Sequence, residues 1–504
     1  MNAAHALPSG APTLGALLQG LVPVPPEWAA LRPAALGEDS RTLAPGALFL
    51  ARAGRQSDGL AHLAEALARG ALAVVHERPA TPAEQRAAAA AGVPLLHDPR
   101  LTEHLGEVAA RWYGRPSARL DVIGVTGTDG KTSTSHFIAQ ALSGAGRRPG
   151  LIGTLGCGPW PGVLEPTGLT TPDAIGLQRR FAALAEAGCD SVAMEVSSIG
   201  LDQGRPNGTR FAAAVFTNLG RDHLDYHGDE ARYAAAKRRL FDWPALPLAV
   251  LNTDDAHGRR WYAELAGRLR CLAYGVQALP GEGLRLLAAT PRPDGWRLEV
   301  DDGAGTVTVE LGLLGRFNVH NALAVAALLV GLGWPRARWR AALEGLRPVP
   351  GRMECFTDGR RRAVIDYAHT PQALAAAIEA LRTHFDGRLI VVFGCGGDRD
   401  RGKRPQMGAI AEAGADRLIL TDDNPRHEAP EAIVADILAG LRAPQRAAVI
   451  HDRAAAIAAA LAEAGPGDTV LIAGKGHETD QQYGDVRRPF SDAARVRAVL
   501  EGGA

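Results

Sequence analysis

Short hydrophobic runs separated by amphipathic or alanine-rich stretches recur along the chain, and this pattern predicts an α/β protein. Near the N-terminus, the runs 47–51 and 71–76 predict strands, and the alanine-rich stretch 83–91 predicts a helix. These elements predict a small N-terminal α/β domain over residues 1–105.

A strand, a glycine-containing loop and a helix follow one another in the next part of the chain. The β-branched apolar run 120–125 stops at Gly127, and residues from Lys131 to about 144 have helical character. Three further apolar runs are separated by helical segments, at 191–196, 213–217 and 249–252. This alternation is typical of a mostly parallel sheet covered on both faces. It predicts a central nucleotide-binding domain over residues 106–347.

A cluster rich in proline and glycine, 347–351, interrupts regular structure and predicts a linker. Beyond it, four strand-like runs alternate with helical stretches, at 388–393, 417–421, 448–451 and 469–473. The alternation predicts a third, Rossmann-like and doubly wound α/β domain over residues 348–504. A chain of 504 residues has the length expected of about three domains.

Composition and charge narrow the class of protein. Lys and Arg together number 55, as do Asp and Glu, so the net charge does not favour nucleic acid or an anionic membrane as a partner. No apolar run approaches the ~20 residues that a membrane span needs. The first residues lack the pattern of a secretory signal, and the five scattered cysteines favour neither disulfides nor zinc. We therefore expect a cytoplasmic protein, monomeric and without a membrane span.

The loop between the first central strand and its helix has the composition of a short phosphate-binding loop. It consists of Gly127, Thr128, Asp129, Gly130, Lys131, Thr132 and Ser133. Backbone N–H groups at a helix N-terminus bind phosphates, Lys131 is expected to reach the β- and γ-phosphates, and Thr132 is expected to help hold Mg²⁺. The alternative is an ordinary glycine turn before a helix.

Two further polar side chains stand at the ends of predicted strands. Glu195 ends the run 191–196, and His223 follows the run 213–217. In an open α/β sheet this edge binds ligands, so a carboxylate and an imidazole there are candidate ligands for a second divalent ion. Alternatively, Glu195 pairs with an arginine and His223 is a polar group satisfied in the core.

The predicted third domain also carries polar strand ends. Asp366 and the Gly396–Arg399 segment end two strand-like runs, while Arg426 and Glu478 follow two others. An arginine fork for a carboxylate and a glutamate for an ammonium together suit a zwitterion. The alternative is that both are solvated loop charges. Before the linker, Asn318 and Asn321 open an apolar helix, where they either contact a purine or, in the case of Asn318, simply cap the helix.

Taken together, these segments resemble the Mur ligase family over nearly the whole chain. The matching segments are DSRTLAPGALFLA from Asp39, GTDGKTS from Gly127, TTPD from Thr170, MEVSS from Met194, FTNLGRDHLDYHG from Phe216, YAAAK ending at Lys237, GRFNVHNALA from Gly315, VPGRME from Val349, DYAHTP from Asp366, GGDRDRGKRP from Gly396, DNPR from Asp423 and GKGHE from Gly474. Each segment is weak evidence alone, but twelve in the same order are a specific signal.

The resemblance implies roles that the pattern of residues does not supply. It places the UDP-linked precursor against Ser40, Arg55, Gln56, Ser57, Thr170, Thr171, Ser197, Gln203 and Arg205. It adds Asn321, Arg352 and Asp366 to the ATP contacts. It places the incoming amino acid against Arg399, Asp423, Asn424, Arg426, Gly474 and Glu478. It also implies that Lys237, which by itself would be interpreted as a solvated helical lysine, reacts with CO₂ to form N6-carboxylysine.

The implied reaction joins a diamino acid to UDP-N-acetylmuramoyl-L-alanyl-D-glutamate, with ATP, two Mg²⁺ ions and an acyl-phosphate intermediate. The implied catalytic residues are Lys131, Glu195, His223 and Lys237, and the implied metal ligands are Thr132, Glu195, His223 and the carbamate of Lys237. Arg426 favours meso-diaminopimelate, which has a second carboxylate, over ornithine or lysine. A ligase similar to folylpolyglutamate synthase and a non-catalytic nucleotide-binding scaffold are the remaining alternatives.

Overall fold

The computed structural model describes residues 11–54, 58–277 and 283–502 of the chain. Residue contacts divide it into two compact units, Met1–Ala273 and Tyr274–Ala504. Both units combine helices with sheets that contain parallel strands, so the α/β prediction is confirmed. Among the described helices, none has the length and apolar character needed to cross a bilayer.

The first unit begins with a small parallel sheet between helices. Its strands pair in the order β1 (Leu36–Gly37), β2 (Leu48–Ala51), β3 (Ala73–His76) and β4 (Leu95–His97). The helices are α1 (Leu14–Leu18), α2 (Pro26–Ala29), α3 (Leu63–Ala68), α4 (Pro82–Ala90) and α5 (Leu101–Trp112). All of β2 is buried because Leu48 and Leu50 pack in one hydrophobic cluster and Phe49 and Ala51 in another, on opposite faces.

A larger sheet forms the rest of the first unit. Its strands are β5 (Asp121–Thr126), β6 (Pro149–Gly153), β7 (Gly156–Pro159), β8 (Ser191–Glu195), β9 (Phe211–Phe216), β10 (Leu248–Asn252) and β11 (Arg270–Gly275). They lie in the order β11-β10-β9-β5-β8-β6-β7, with parallel pairing from β10 to β6. The helices are α6 (Lys131–Gly144), α7 (Ala174–Glu186), α8 (Ser198–Asp202), α9 (Leu224–His227), α10 (Glu230–Arg238) and α11 (Ala256–Leu265). Since β9, β5 and β8 are parallel neighbours, the residues that follow them meet at one edge of the sheet.

The second unit starts with an antiparallel meander and two helices. These are β12 (Gly283–Arg292), β13 (Gly295–Asp301), β14 (Thr306–Leu311), α12 (Arg316–Gly331) and α13 (Arg336–Glu344). The meander was not predicted from the sequence. The alternation of buried and exposed residues along β13 and β14 is the signal that could have found it.

A six-stranded sheet follows in the second unit, in the order β15-β16-β20-β17-β18-β19. Its strands are β15 (Glu354–Thr357), β16 (Arg362–Asp366), β17 (Leu389–Phe393), β18 (Arg417–Leu420), β19 (Ala448–Val449) and β20 (Thr469–Ala473), and a hairpin adds β21 (Asp480–Tyr483) and β22 (Val486–Pro489). The helices are α14 (Pro371–His384), α15 (Lys403–Gly414), α16 (Pro430–Leu438), α17 (Arg453–Glu463) and α18 (Asp492–Leu500). The strands from β16 to β19 are all parallel, so their carboxyl ends also share one edge.

Every strand predicted from an apolar run is present, within two residues at each end. The division between the compact units falls within β11 and corresponds to neither predicted domain boundary. The boundaries after residues 105 and 347 therefore stay predictions. All five cysteines are free, and three of them, Cys189, Cys271 and Cys395, are buried.

Gly106 provides a test of the packing of α5. A Cβ atom at this position would lie 1.9 Å from the backbone oxygen of Asn207, in the turn before β9. We expect Gly106→Ala to lower the free energy of unfolding by about 1–3 kcal/mol, because backbone atoms must move apart. Differential scanning calorimetry measures the change.

The matched control is Gly144→Ala, at the end of α6, where a Cβ atom meets nothing within 4 Å. Alanine is the better helix former, so this variant is expected to be as stable as the parent or slightly more stable. Equal melting temperatures for the two variants would contradict the packing argument.

Candidate active site

The phosphate-loop sequence lies at the carboxyl end of β5, as predicted, and a neighbouring segment holds its shape. Asn218 accepts from the Asp129 N–H through Oδ1 at 3.0 Å, and the Thr217 hydroxyl donates to the Asp129 carbonyl at 2.6 Å. A Cβ atom at Gly127 would lie 1.8 Å from Thr217 Oγ1, so only glycine fits there. Gly130, with φ of 81°, ends the loop and precedes the first turn of α6.

Lys131 folds back over this loop. Its Nζ donates to the carbonyls of Gly127 at 2.9 Å and Thr128 at 2.8 Å. The free N–H groups of the first turn of α6 and the helix dipole add positive potential at the same point. The arrangement therefore favours an anion, as a phosphate-binding loop requires.

Lys237 lies on the other side of the loop and is buried. Its Nζ donates to the Gly127 carbonyl at 2.7 Å, the oxygen that also accepts from Lys131. Burial, and after it the nearby Lys131 ammonium, holds the pKa of Lys237 well below its usual value. The interpretation of Lys237 as a solvated helical lysine is therefore wrong.

Tyr233 joins Lys237 to the loop and was missed in the sequence. Its hydroxyl lies 3.0 Å from Thr128 Oγ1, and the Lys237 Nζ lies 4.4 Å from the centre of its ring. The two side chains are four residues apart on α10, a spacing that places them on one helix face. That spacing is the signal that could have identified Tyr233.

Glu195 ends β8 and is 1% exposed. Its Oε2 accepts from the hydroxyls of Thr132 at 3.0 Å and Thr154 at 3.2 Å, and its Oε1 accepts from the Thr154 N–H at 2.8 Å. The alternative of an arginine partner is wrong, because these donors occupy the carboxylate. Thr132 and Glu195, two of the predicted metal ligands, are thus in direct contact.

His223 has left-handed backbone geometry, with φ of 52°, and its side chain is 46% exposed. It is therefore not a satisfied core group. Its Nε2 lies 3.4 Å from Asp222 Oδ2, and its ring faces the Tyr233 ring at 6.3 Å. Within the described residues, no three His, Cys, Asp or Glu side chains converge as a metal site.

Four of the six described residues that were predicted to bind the precursor form one hydrogen-bonded group beside Glu195. Thr171 Oγ1 donates to the Glu195 carbonyl at 3.0 Å and accepts from the Ser197 N–H at 2.9 Å. Arg205 Nη1 donates to the Thr171 carbonyl at 2.8 Å, and its Nη2 donates to Gln203 Oε1 at 2.7 Å. Burial lowers the pKa of Arg205, although the group stays charged.

The other two described residues of this set are in different surroundings. Thr170 reaches Glu195 indirectly, because its hydroxyl lies 3.1 Å from that of Thr154, which donates to Glu195. Ser40 is buried in the N-terminal part of the unit, where its hydroxyl donates to Glu65 Oε2 at 2.6 Å. Arg55, Gln56 and Ser57 lie outside the described residues.

In the second unit, Arg352 and Asp366 lie close together. The Arg352 guanidinium lies 4.3 Å from the centre of the Tyr367 ring, and Asp366 Oδ2 accepts from the Met353 N–H at 2.9 Å. Burial raises the pKa of Asp366 to about 6, against the lowering effect of Arg352. The two side chains are a cation and a carboxyl group at the end of β16.

Asn321 lies on the buried face of α12. Its Nδ2 donates to Asn318 Oδ1 at 3.1 Å, and Asn318 in turn donates to the Leu314 carbonyl at 2.9 Å. The N-cap of α12 is Gly315, so the alternative in which Asn318 caps the helix is wrong.

The residues predicted to bind the incoming amino acid surround the carboxyl ends of β17, β18 and β20. Asn424 Nδ2 donates to Glu478 Oε2 at 2.8 Å, and a Cβ atom at Gly474 would lie 2.6 Å from Asp423 Oδ2. Arg426, with φ of 51°, donates through Nη1 to the Gly397 carbonyl at 2.6 Å. Arg426 and Glu478 are therefore both hydrogen-bonded within the protein, and the alternative that they are solvated loop charges is wrong.

Arg399 is exposed, and it flanks the same glycine as Arg426. A Cβ atom at Gly396 would lie 2.9 Å from Arg426 Nη1 and 3.8 Å from Arg399 Cγ. Two guanidinium-bearing side chains therefore approach one short segment of backbone, where a carboxylate of a ligand could be bound by both.

The hairpin β21–β22 holds the DNPR loop, a role that was not predicted from the sequence. Gln481 Nε2 donates to the carbonyls of Asp422 at 3.2 Å and Asp423 at 3.0 Å. The Gln482 N–H donates to Asn424 Oδ1 at 3.0 Å. The Arg426 N–H donates to the Gln482 carbonyl at 3.0 Å, so the hairpin fixes the backbone that carries the guanidinium.

Comparison with known proteins places this geometry in a family. Three domain families match: the Mur ligase family catalytic domain over residues 34–113, the Mur ligase middle domain over residues 125–329, and the Mur ligase glutamate ligase domain over residues 351–476. The chain is 53% identical over 472 residues to the UDP-N-acetylmuramoyl-L-alanyl-D-glutamate–2,6-diaminopimelate ligase of Alkalilimnicola ehrlichii, covering 92% of this chain and 94% of the relative.

A second relative and a solved structure are similar to this chain over comparable lengths. The ligase of the same name from Ectopseudomonas mendocina is 46% identical over 474 residues, with 92% and 94% of the two chains covered. A solved structure of a ligase of this name superposes with a TM-score of 0.73 at 36% identity, covering 97% of this chain and 99% of that chain.

Lys131 provides a test of the phosphate loop that does not depend on the complete reaction. We expect Lys131→Met to weaken binding of ATP by roughly 10- to 100-fold, because a charge-assisted hydrogen bond to phosphate is lost. Isothermal titration calorimetry with a non-hydrolysable ATP analogue measures the Kd.

The control is Arg147→Met, which removes a positive charge beyond the opposite end of α6, where Arg147 pairs with Asp121 at 2.8 Å. This variant is expected to bind the analogue like the parent. Equal affinity of Lys131→Met and the parent would exclude the loop as the phosphate site.

Proposed function

This chain belongs to the Mur ligase family, and from that premise we propose that it joins meso-diaminopimelate to UDP-N-acetylmuramoyl-L-alanyl-D-glutamate with ATP, in the synthesis of peptidoglycan precursor. The relatives that it matches over more than nine-tenths of its length carry the name of that ligase.

The observation that carries the proposal is the pair of lysines on one carbonyl oxygen. Lys131 and Lys237 both donate to Gly127, at 2.9 Å and 2.7 Å. Two ammonium groups this close repel each other, and the repulsion is relieved if Lys131 binds a triphosphate and Lys237 is not a cation. A ligase that uses ATP and a carboxylated lysine meets both conditions.

Lys237 suits carboxylation because burial and the neighbouring Lys131 lower its pKa, which favours the neutral amine. The nitrogen lone pair attacks the carbon of CO₂, an N–C bond forms, and the nitrogen loses a proton, which leaves a carbamate with one negative charge. The side chain thereby changes from a competitor of Lys131 into its counter-charge.

The residues of this edge also fit Mg²⁺. The Thr132 hydroxyl and the Glu195 carboxylate are oxygen donors 3.0 Å apart, of the kind that Mg²⁺ prefers. With His223 and the carbamate of Lys237 they would hold two ions, which neutralise charge on the triphosphate.

The chemistry needs no protein nucleophile. The terminal carboxylate of the precursor attacks the γ-phosphorus of ATP, ADP leaves, and an acyl phosphate forms while Lys131 stabilises the developing charge. The acceptor amine then attacks the acyl carbon, the amine loses a proton, and phosphate leaves as the amide forms. The group around Thr171, Ser197 and Arg205 is adjacent to Glu195 and would orient the precursor peptide.

The identity of the acceptor depends on Arg426. Its guanidinium, held by the Gly397 carbonyl and the hairpin, suits the distal carboxylate of diaminopimelate. In a partly buried site it would repel the distal ammonium of lysine or ornithine. Diaminopimelate is therefore the acceptor that the charges favour.

Acceptor choice is tested by the mass of the product formed from UDP-N-acetylmuramoyl-L-alanyl-D-glutamate, ATP and an equimolar mixture of meso-diaminopimelate, lysine and ornithine. We expect the diaminopimelate product to predominate. Arg426→Ala is expected to lower kcat/KM for diaminopimelate by roughly 10- to 100-fold, through loss of a charge-assisted hydrogen bond. Arg426→Lys, which keeps the charge without the fork, should lose less, and a wild-type preference for lysine or ornithine would refute the assignment.

Carboxylation is tested by chemical rescue. We expect Lys237→Ala to lose roughly 100-fold or more in ligation rate, and acetate or formate to restore part of the rate by supplying a carboxylate in the vacated space. Lys131→Met serves as the control, because a lost cation cannot be replaced by an added anion. Rescue of both variants, or of neither, would argue against a carboxylated Lys237.

A further inference from the structure

Lysine is rare in this protein. Only four of the 55 basic residues are lysines, at positions 131, 237, 403 and 475, and all the others are arginines. Arginine thus supplies almost all of the positive charge of the protein. A lysine that is buried therefore indicates a place where a compact ammonium fits and a guanidinium does not. Lys237 meets that description beside the phosphate loop, where Lys131 is half-buried. Lys475 also meets it, and the reaction described above gives it no role.

Lys475 is completely buried at the end of β20. Its Nζ donates to Glu478 Oε2 at 2.7 Å and to Asn424 Oδ1 at 3.0 Å. Asn424 Nδ2 donates to the same Glu478 oxygen at 2.8 Å. The three side chains form a closed triangle that fixes both the position and the rotation of the Glu478 carboxylate.

The triangle occupies only one oxygen of Glu478. Within the described part of the chain, no donor reaches Oε1, and the side chain remains 30% exposed. A carboxylate that is bonded on one oxygen and open on the other is directed toward an incoming donor. For an amino-acid pocket, that donor is an ammonium.

The surrounding charges leave Lys475 as the counter-charge for Glu478. Arg453, the other buried cation nearby, is bound to Asp492 at 2.7 Å and 2.8 Å. Asp423 adds a second carboxylate, whose pKa is raised by burial. His477 is held neutral near pH 7 because burial lowers its pKa to about 4, and Tyr367 packs against its ring.

We propose that Lys475 is a positioning residue for the acceptor: it keeps Glu478 ionised and anchored through Oε2, so that Oε1 receives the acceptor's ammonium. The inference rests on the proposed function and adds to it the residue that prepares the ammonium subsite. A lysine is required because three side chains meet at one nitrogen, which the longer, planar guanidinium cannot replace without moving Asn424.

Protonation of Glu478 is the property that separates this role from simple packing. Burial raises the pKa of Glu478, but the charge and hydrogen bond of Lys475 and the hydrogen bond of Asn424 outweigh it, so the pKa lies below its usual value. Without Lys475, burial and the Asp423 charge remain and the pKa rises. Acceptor binding then fails at a higher pH than in the parent, because a protonated carboxyl group does not bind an ammonium ionically.

The test is the pH dependence of kcat/KM for meso-diaminopimelate, with the full chain and saturating ATP and precursor. We expect Lys475→Met to raise KM for diaminopimelate by roughly 10- to 100-fold with a smaller effect on kcat. We also expect the acid limb of the profile to move up by about one pH unit or more. Lys475→Arg should restore much of the acid limb but not KM, since it keeps the charge and loses the geometry.

Arg487→Met is the matched control. It removes a cation from the neighbouring hairpin, where Arg487 is exposed and pairs with Asp480 at 3.1 Å. Its profile should match that of the parent. An unshifted acid limb and an unchanged KM in a folded Lys475→Met protein would overturn the inference.

A second variant is available if Lys475→Met does not fold. Glu478→Gln keeps Lys475 in place and mimics the protonated carboxyl group, so it should show the raised KM at every pH and no acid limb from this residue. An unchanged KM in Glu478→Gln also overturns the inference. Failure of the parent protein to ligate diaminopimelate at all would instead count against the proposed function, so the two failures are distinguishable.

Discussion

The phosphate end of the site depends on one constraint: the side-chain nitrogens of Lys131 and Lys237 share the Gly127 carbonyl oxygen. The oxygen can face both lysines only because the loop turns sharply at Gly127. Only glycine fits in that turn, because Thr217 Oγ1 occupies the space where a side chain would project. The pairing of β5 with β9 therefore helps to place two lysines on one carbonyl oxygen, and under the proposed function one of them binds phosphate and the other loses its positive charge.

The second unit uses the same principle with a different result. At the end of β20, Lys475 is also buried, but it has a carboxylate partner in Glu478 and an amide partner in Asn424, so its positive charge is compensated within the protein. Arg453 is likewise compensated by Asp492. Lys237, whose Nζ is bonded to a carbonyl oxygen, thus lies at the predicted phosphate loop, and Lys475 and Arg453, each paired with a carboxylate, lie at the predicted amino-acid pocket. Under the proposed function, the buried charge prepares each site before a ligand arrives, which reduces the reorganisation needed at binding.

Local pattern was sufficient to predict the strand, loop and helix around Gly127, because glycine, an apolar run and a helical stretch coincide there. Local pattern did not lead to a prediction of the meander β12–β14, although residues alternate in polarity along its strands. Nor did it identify Tyr233, which is related to Lys237 only by helical spacing. Roles such as that of Lys475 depend on burial and on side chains brought from separate strand ends. Such contacts are properties of the tertiary structure, and no spacing in the sequence states them. Family resemblance supplied the acceptor residues but not the hairpin that holds them.

The hairpin β21–β22 holds the DNPR loop through the side chains of Gln481 and Asn424 and through two hydrogen bonds between main-chain atoms. The Gln481 side chain donates to two successive carbonyls. The Arg426 N–H donates to the Gln482 carbonyl, and the Gly484 N–H donates to the Arg426 carbonyl. A substitution changes the side chain of a residue and leaves its main-chain groups in place. Under the proposed function, an inhibitor directed at the main-chain part of this contact would be hard to escape by substitution, because a change able to move this backbone would also displace Arg426, which is proposed to select the acceptor.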